Sequence, residues 1–189
     1  MFECGMNQSD AARTLFRIPI IPHSARKSDP RNHREKMSYD SRIAELGLKL
    51  PPFPKPQGVY RPAVQVGSLV YLSGHGPLKP EGGLVTGRLG ADLDTNAGKE
   101  AARLTGLALL CTLRQYLGSL DRVQRVIKTL GLVNSAPDFT EHPAVINGCS
   151  ELFAEVFGLE NGIGARSAIG VAALPGNIAV EIEMIVEVA

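Results

Sequence analysis

The sequence predicts an α+β domain in which two long helices interleave with five strands, in the order β-β-α-β-α-β-β. Three observations carry this. Ala97, Ala101, Leu104, Ala108 and Cys111 recur at three- and four-residue steps, with Leu107 and Leu110 widening the stripe, as in a helix laid on a sheet. Residues 179–188 alternate instead, with Val180, Ile182, Met184, Val186 and Val188 on one face and Glu181, Glu183, Ile185 and Glu187 on the other. Finally, 189 residues at 44% hydrophobic content suffice for one sizeable core.

Asp40 or Ser41 is expected to cap a short helix over 42–46 that stops at Gly47. The segment Pro51-Pro-Phe-Pro-Lys-Pro56 cannot be helical and reads as an extended connector. Strands over 59–66 and 69–73 flank Gly67-Ser68, a hairpin signal, and a Gly/Pro-rich loop runs from 74 to 90. Asp94 or Thr95 opens the first long helix and Gly118 closes it, with a short helical turn after Ser119. The run 126–133 is apolar at most positions, as for a strand buried on both sides. A second helix over 139–157 offers Val145, Ile146, Cys149, Leu152, Phe153 and Val156 to the core; 158–164 is a loop; strands over 166–173 and 179–188 close the chain. The helices are expected on the Val180 face of the last strand, leaving the other sheet face for a second copy of the chain.

Residues 1–36 differ in composition, with scattered Arg, Pro, Ser and Asn and no period, and are expected to be a disordered tail, with Met37 an alternative start. Residues 37–57 form the short helix and connector, and 58–189 the folded domain. A net charge of +1 gives no field to hold nucleic acid or a membrane surface. No stretch approaches the roughly 18 apolar residues of a membrane span. Cys4, Cys111 and Cys149 lack ligand or disulfide spacing, which suits free thiols in a reducing, cytoplasmic setting and no structural metal. Neither Gly74-His-Gly76 nor Gly87-Arg-Leu-Gly90 has phosphate-loop context, so no cofactor is expected.

The chemistry is expected near the C-terminus. Arg166 at the start of one strand, a Leu174-Pro-Gly-Asn turn and Glu181 on the next strand are expected to form a compact C-terminal hairpin that would set a cation and a carboxylate at the edge of one cleft. Such a pair suits a small keto or imino acid: the cation holds its carboxylate and the carboxylate moves a proton.

Gly58-Val-Tyr60, Val70-Tyr-Leu-Ser73-Gly74, Val145-Ile-Asn147, Ala165-Arg166-Ser167, Leu174-Pro175 and Val180-Glu-Ile-Glu183, with the spacing from arginine to glutamate, resemble the reactive-intermediate deaminase family (RidA, also YjgF, formerly L-PSP endoribonuclease). The resemblance covers about 58–189. It implies a chorismate-mutase-like fold, a homotrimer with clefts between subunits, and hydrolysis of 2-enamine or 2-imino acids to 2-keto acids and ammonia without a cofactor. Carried over by position, the carboxylate-binding arginine falls on Arg166 and the water-activating glutamate on Glu181. Tyr60, Ser73, Gly74 and Asn147 fall in the substrate pocket. Two positions depart from the pattern: His75 stands where glutamine is common, and Ala168 where cysteine is common.

Each residue also has an ordinary role. Arg166 could serve in a salt bridge, Glu181 could be one of several solvated glutamates, and Tyr60 could be a packed aromatic. Ser73 has no nucleophile-elbow context. His75 could act as an extra acid–base group or could be structural. Two other functions stand beside the deaminase: a non-catalytic keto-acid-binding or interaction module, which His75, Ala168 and the long 77–90 loop motivate, and an endoribonuclease, which the balanced charge does not favour.

Overall fold

The computed structural model describes residues 38–189. The tail expected over 1–36 and the alternative start at Met37 lie outside them.

Helix α1, Tyr39–Glu45, is capped by Ser38, whose hydroxyl accepts from the Ser41 amide. Ser38 takes the place expected of Asp40 or Ser41 because Asp40 is drawn away to Ser119 and the Leu120 amide, 79 and 80 residues along the chain. Strands β1, Ala63–Val66, and β2, Leu69–His75, form the hairpin about Gly67, whose φ of +59° suits a glycine. β1 begins four residues later than the sequence suggests, because the chain leaves the sheet ahead of Pro62.

Helix α2 runs Thr95–Leu117. Asp94 caps its start by accepting from the Ala97 amide, and Gly118 ends it in the left-handed conformation. A 3-10 turn, Leu120–Arg122, leads into β3, Val123–Asn134. Helix α3, His142–Gly162, is broken at Gly158, whose φ of +80° and ψ of 162° are not helical, so its long regular part ends where the sequence places the end and one short turn follows. Strands β4, Ala165–Val171, and β5, Val180–Val188, complete the fold.

The five strands form one mixed sheet in the order β1-β2-β5-β3-β4, with β3 and β4 parallel and the other pairs antiparallel. Two expectations are corrected here. β4 and β5 are not a hairpin, since β3 lies between them: Leu132 pairs with Ile169 on one side and Glu181 on the other. Nor is β3 buried on both sides. Thr129, Gly131 and Val133 are buried while Lys128, Leu130 and Leu132 are only half-buried, because the helices cover a single face.

That covered face holds the core. Val70, Leu72, Val180, Ile182, Met184 and Val186 meet Leu109, Leu110 and Leu113 of α2 and Ile146, Leu152 and Phe153 of α3. Glycines set how closely the layers approach. A Cβ on Gly131 of β3 would run into Ile146, and one on Gly148 of α3 would run into the Lys99 carbonyl of α2. The opposite face carries rows such as Val64–Tyr71–Ile185 and Ile169–Leu132–Glu181; Val64 and Tyr71 are each 42% exposed and Ile169 48%. Among the described residues no helix is long and apolar enough to cross a membrane.

Gly148→Ala tests the helix–helix approach. Its methyl group meets backbone, which cannot rotate away, so urea unfolding should show a loss of about 1–3 kcal/mol, the usual range for overpacking.

Candidate functional site

Arg166 and Glu181 are both half-buried, on opposite faces of the sheet. Arg166 lies at the start of β4, the edge strand, in register with Thr129 and thus on the helix-covered face. Its guanidinium reaches α3. Nη1 donates to Asn147 Oδ1 at 2.8 Å and Ser150 Oγ at 3.1 Å, and Nη2 donates to the Pro143 carbonyl at 3.3 Å. Three of the five N–H groups are thereby fixed, which leaves Nε–H and one Nη2–H without a partner among the described residues. No carboxylate pairs with this guanidinium among those residues. Burial lowers its pKa from the ordinary arginine value. Cys149 lies below, fully buried, and its burial pushes the thiol well up, against the pull of Arg166.

The other sequence-predicted residues gather on the far side of the fold, around a cavity of about 870 Å³ lined by Tyr60, Ser73, Gly74, His75 and Glu181. Glu181 packs onto Gly74 so closely that a Cβ there would collide with its carboxylate. A side chain at this position would have to displace the Glu181 carboxylate. Burial, and secondly the charge of Glu183, hold the Glu181 carboxyl above the usual glutamate value. Ser73 donates its hydroxyl to the Arg61 carbonyl at 2.7 Å, so that proton is already committed. Tyr60 is 47% exposed, and its hydroxyl accepts from the Gln57 amide at 3.3 Å.

His75 borders the cavity, yet both of its ring nitrogens are in use. Nδ1 is 2.7 Å from the Ser73 carbonyl and Nε2 is 2.7 Å from Thr112 Oγ1. A carbonyl can only accept, so Nδ1 carries the proton and Nε2 accepts from the threonine. Burial lowers the His75 pKa, which keeps this neutral tautomer. The geometry makes His75 a tie between β2 and α2.

The sequence-predicted residues thus fall into two separate groups. Tyr60, Ser73, Gly74, His75 and Glu181 come together, as do Arg166 and Asn147, but the two groups do not meet. Ala168 is partly buried against the core, on the same face of β4 as Arg166. Sequence reasoning missed Ser150 and the Pro143 carbonyl; Ser150 stands three residues past Asn147, the spacing that puts both on one side of a helix. It also missed Lys55, the cation that lines the Glu181 cavity. Among the described residues no cluster of three His, Cys, Asp or Glu side chains could hold a metal.

Replacing Glu181 tests its burial. The folded protein holds the Glu181 proton more tightly than the unfolded chain does, so wild-type stability falls as pH rises from about 4.3 through the raised folded pKa. Glu181→Gln has no such loss. Its melting temperature should exceed wild type at pH 7, and the two curves should converge below about pH 4.

Residues 40–188 match the family described as "YjgF/chorismate_mutase-like, putative endoribonuclease". Protein TCP17 of Trypanosoma cruzi is 44% identical over 145 residues, which cover 77% of this chain and 91% of that protein. The crystal structure of Atu1372 from Agrobacterium tumefaciens, described as a protein of unknown function, superposes with a TM-score of 0.73 at 40% identity, covering 80% of this chain and 92% of that one. Escherichia coli TdcF, crystallised with bound serine, superposes with a TM-score of 0.50 at 26% identity, covering 72% and 94%.

Proposed function

This chain belongs to the YjgF/RidA family, and from that premise we propose that it hydrolyses 2-imino acids, the tautomers of reactive enamines, to 2-keto acids and ammonia. The observation that carries the proposal is Arg166: a half-buried guanidinium held by three acceptors on α3, with two N–H groups and its full charge left over. A planar carboxylate accepting both bonds satisfies that remainder. TdcF binding serine supports a small carboxylate ligand for this fold.

The two half-sites meet when Arg166, at the β4 edge of one subunit, faces the Glu181 cavity of another subunit of a homotrimer. Arg166 then fixes the substrate carboxylate while Glu181 accepts a proton from a water molecule whose oxygen adds to the imine carbon. The nitrogen takes up a proton, giving a carbinolamine. The hydroxyl proton then passes to the amino nitrogen as the C–N bond breaks, so that ammonia leaves and the carbonyl forms. Burial makes Glu181 a stronger base than an ordinary glutamate, bringing its pKa toward neutrality. Tyr60 and Gly74 shape the pocket, and Ser73 and Asn147 hold other groups in place. No step calls for a cofactor, and a reducing, cytoplasmic setting fits the same reading. Imines hydrolyse unaided in water, so orientation and one proton transfer are sufficient.

The test is hydrolysis of imines generated in situ by an amino-acid oxidase. Arg166→Ala and Glu181→Gln should each lower kcat/KM by about a hundredfold, the low end for the loss of one positioned catalytic group. Unfolding and reassembling the two variants together at equal amounts should restore about a quarter of wild-type activity, because random assembly pairs an intact Arg166 with an intact Glu181 at that share of interfaces. No recovery in co-assembled protein would place both residues of a site within one subunit. A loss confined to Lys55→Ala would move the carboxylate to the connector. Binding of keto acids without turnover would leave a sensing module, and nuclease activity tracking the Arg166 and Glu181 variants would favour the endoribonuclease reading.

The pH profile offers a separate check. Glu181 must be ionised to act, so kcat/KM falls as pH drops through its raised pKa. Glu183→Gln removes the neighbouring like charge and should move that acid limb to lower pH; a shift upward would contradict the assignment.

A further inference from the structure

We infer that the Glu181 cavity selects 2-imino and 2-keto acids with a bulky apolar side chain, branched or aromatic, over three-carbon substrates. The inference rests on the reading above and adds the substrate class.

Three chain segments, far apart in sequence, bring apolar side chains to this one cavity. The connector supplies Phe53, the 77–90 loop supplies Leu78 and Leu84, and the turn before β5 supplies Ile178, with Tyr60 beside them. Phe53 is 41% exposed, Leu84 45% and Tyr60 47%. Single exposed apolar residues are common on protein surfaces, but large ones that converge on a concave site mark a surface meant to be covered. At about 870 Å³ the cavity is far larger than a three-carbon acid needs.

The apolar wall is built in advance rather than collapsed onto a ligand. Leu78 bridges Leu84, the Val85 amide donates to the Pro77 carbonyl at 3.1 Å, and the Lys79 amide donates to the Gly83 carbonyl at 3.0 Å. Thr86 bridges Ile178 and the Ala179 amide donates to the Val85 carbonyl, which fastens the loop to the approach to β5. Gly76 completes the arrangement: a Cβ there would stand 3.0 Å from Ile178 Cδ1 and 3.5 Å from Leu84 Cδ2. Those two side chains therefore reach over the backbone next to Gly74, where Glu181 lies. A substrate whose C2 is presented to Glu181 water and whose carboxylate points to the arginine has its side chain against Leu84 and Ile178. His75 adds no polarity there, since both its nitrogens are taken. A three-carbon substrate leaves this wall in water, whereas a branched or aromatic one removes it.

Calorimetric titration of the full chain with pyruvate, 2-oxobutanoate, 4-methyl-2-oxopentanoate and phenylpyruvate reads this directly. Each further buried methylene should tighten binding about fourfold, so 4-methyl-2-oxopentanoate should bind at least tenfold tighter than pyruvate, and imines from leucine and phenylalanine should be hydrolysed with higher kcat/KM than that from alanine. In Leu84→Ala the affinity ratio of 4-methyl-2-oxopentanoate to pyruvate should fall threefold or more. Equal or reversed affinities across the series overturn the inference, as does a failure of all four acids to bind. Graded binding without turnover upholds the pocket and removes the deaminase reading, while turnover indifferent to side-chain size keeps the deaminase and removes the selectivity.

Discussion

Two helices can cover only one face of a five-stranded sheet, and this constraint orders everything else in the molecule. α2 and α3 take the face carrying Val180, Ile182, Met184 and Val186, which are fully or almost fully buried. Strand parity then assigns each remaining side chain to one face or the other. Arg166, in register with buried Thr129, falls on the covered face at the edge; Glu181, in register with Leu132, falls on the bare one. No rotamer change carries either across the sheet, so chemistry that uses both needs a second sheet. The bare face, with Val64, Tyr71 and Ile169 exposed, is the surface to which the proposed assembly assigns a second copy.

The electrostatics follow the same division. Cations bridging α2 and α3 are neutralised: Lys99 meets Glu151 at 2.8 Å and Arg103 meets Glu155 at 2.7 Å. On the sheet Arg125 meets Glu187 at 2.7 Å. Arg166 is treated differently, since α3 offers it an amide oxygen, a hydroxyl and a carbonyl, which orient the guanidinium without cancelling its charge. That arrangement suits the proposed role, in which the counterion arrives with a ligand. The glycine contacts that fix α3 against α2 and β3 also fix those acceptors, so packing in the core positions the arginine at the edge.

The parts of this design legible in the sequence were those with a local cause. α2 could be placed from Asp94 to Gly118 because cap, stripe and stop all lie within the segment. The β5 alternation named its buried face for the same reason. What stayed hidden depends on partners distant along the chain. Ser38 rather than Asp40 caps α1 because Asp40 serves Ser119 and Leu120. His75 is immobilised by Thr112, 37 residues away on α2. The closeness of Arg166 and Glu181 along the chain suggested a hairpin, but proximity in sequence does not set strand order. β3 inserts between β4 and β5, and the two residues come to face opposite ways. The resemblance to the family supplied the fold and the pocket residues, whereas their separation into two half-sites required the sheet register.

Each half-site is in an unfavourable electrostatic state on its own, and the two states are complementary. Burial works against the charged form of both groups, lowering the pKa of Arg166 and raising that of Glu181. A substrate carboxylate on the guanidinium satisfies its two remaining N–H groups and offsets its desolvation. The same substrate, seated over Gly74, excludes solvent from Glu181 and strengthens it further as a base toward the one water it retains. Binding therefore improves both groups at once, and most for a ligand whose apolar side chain seals the Leu84–Ile178 wall. In the proposed assembly neither subunit gains this alone. In that proposal the positive and the basic halves stay apart until a neighbour and a substrate join them.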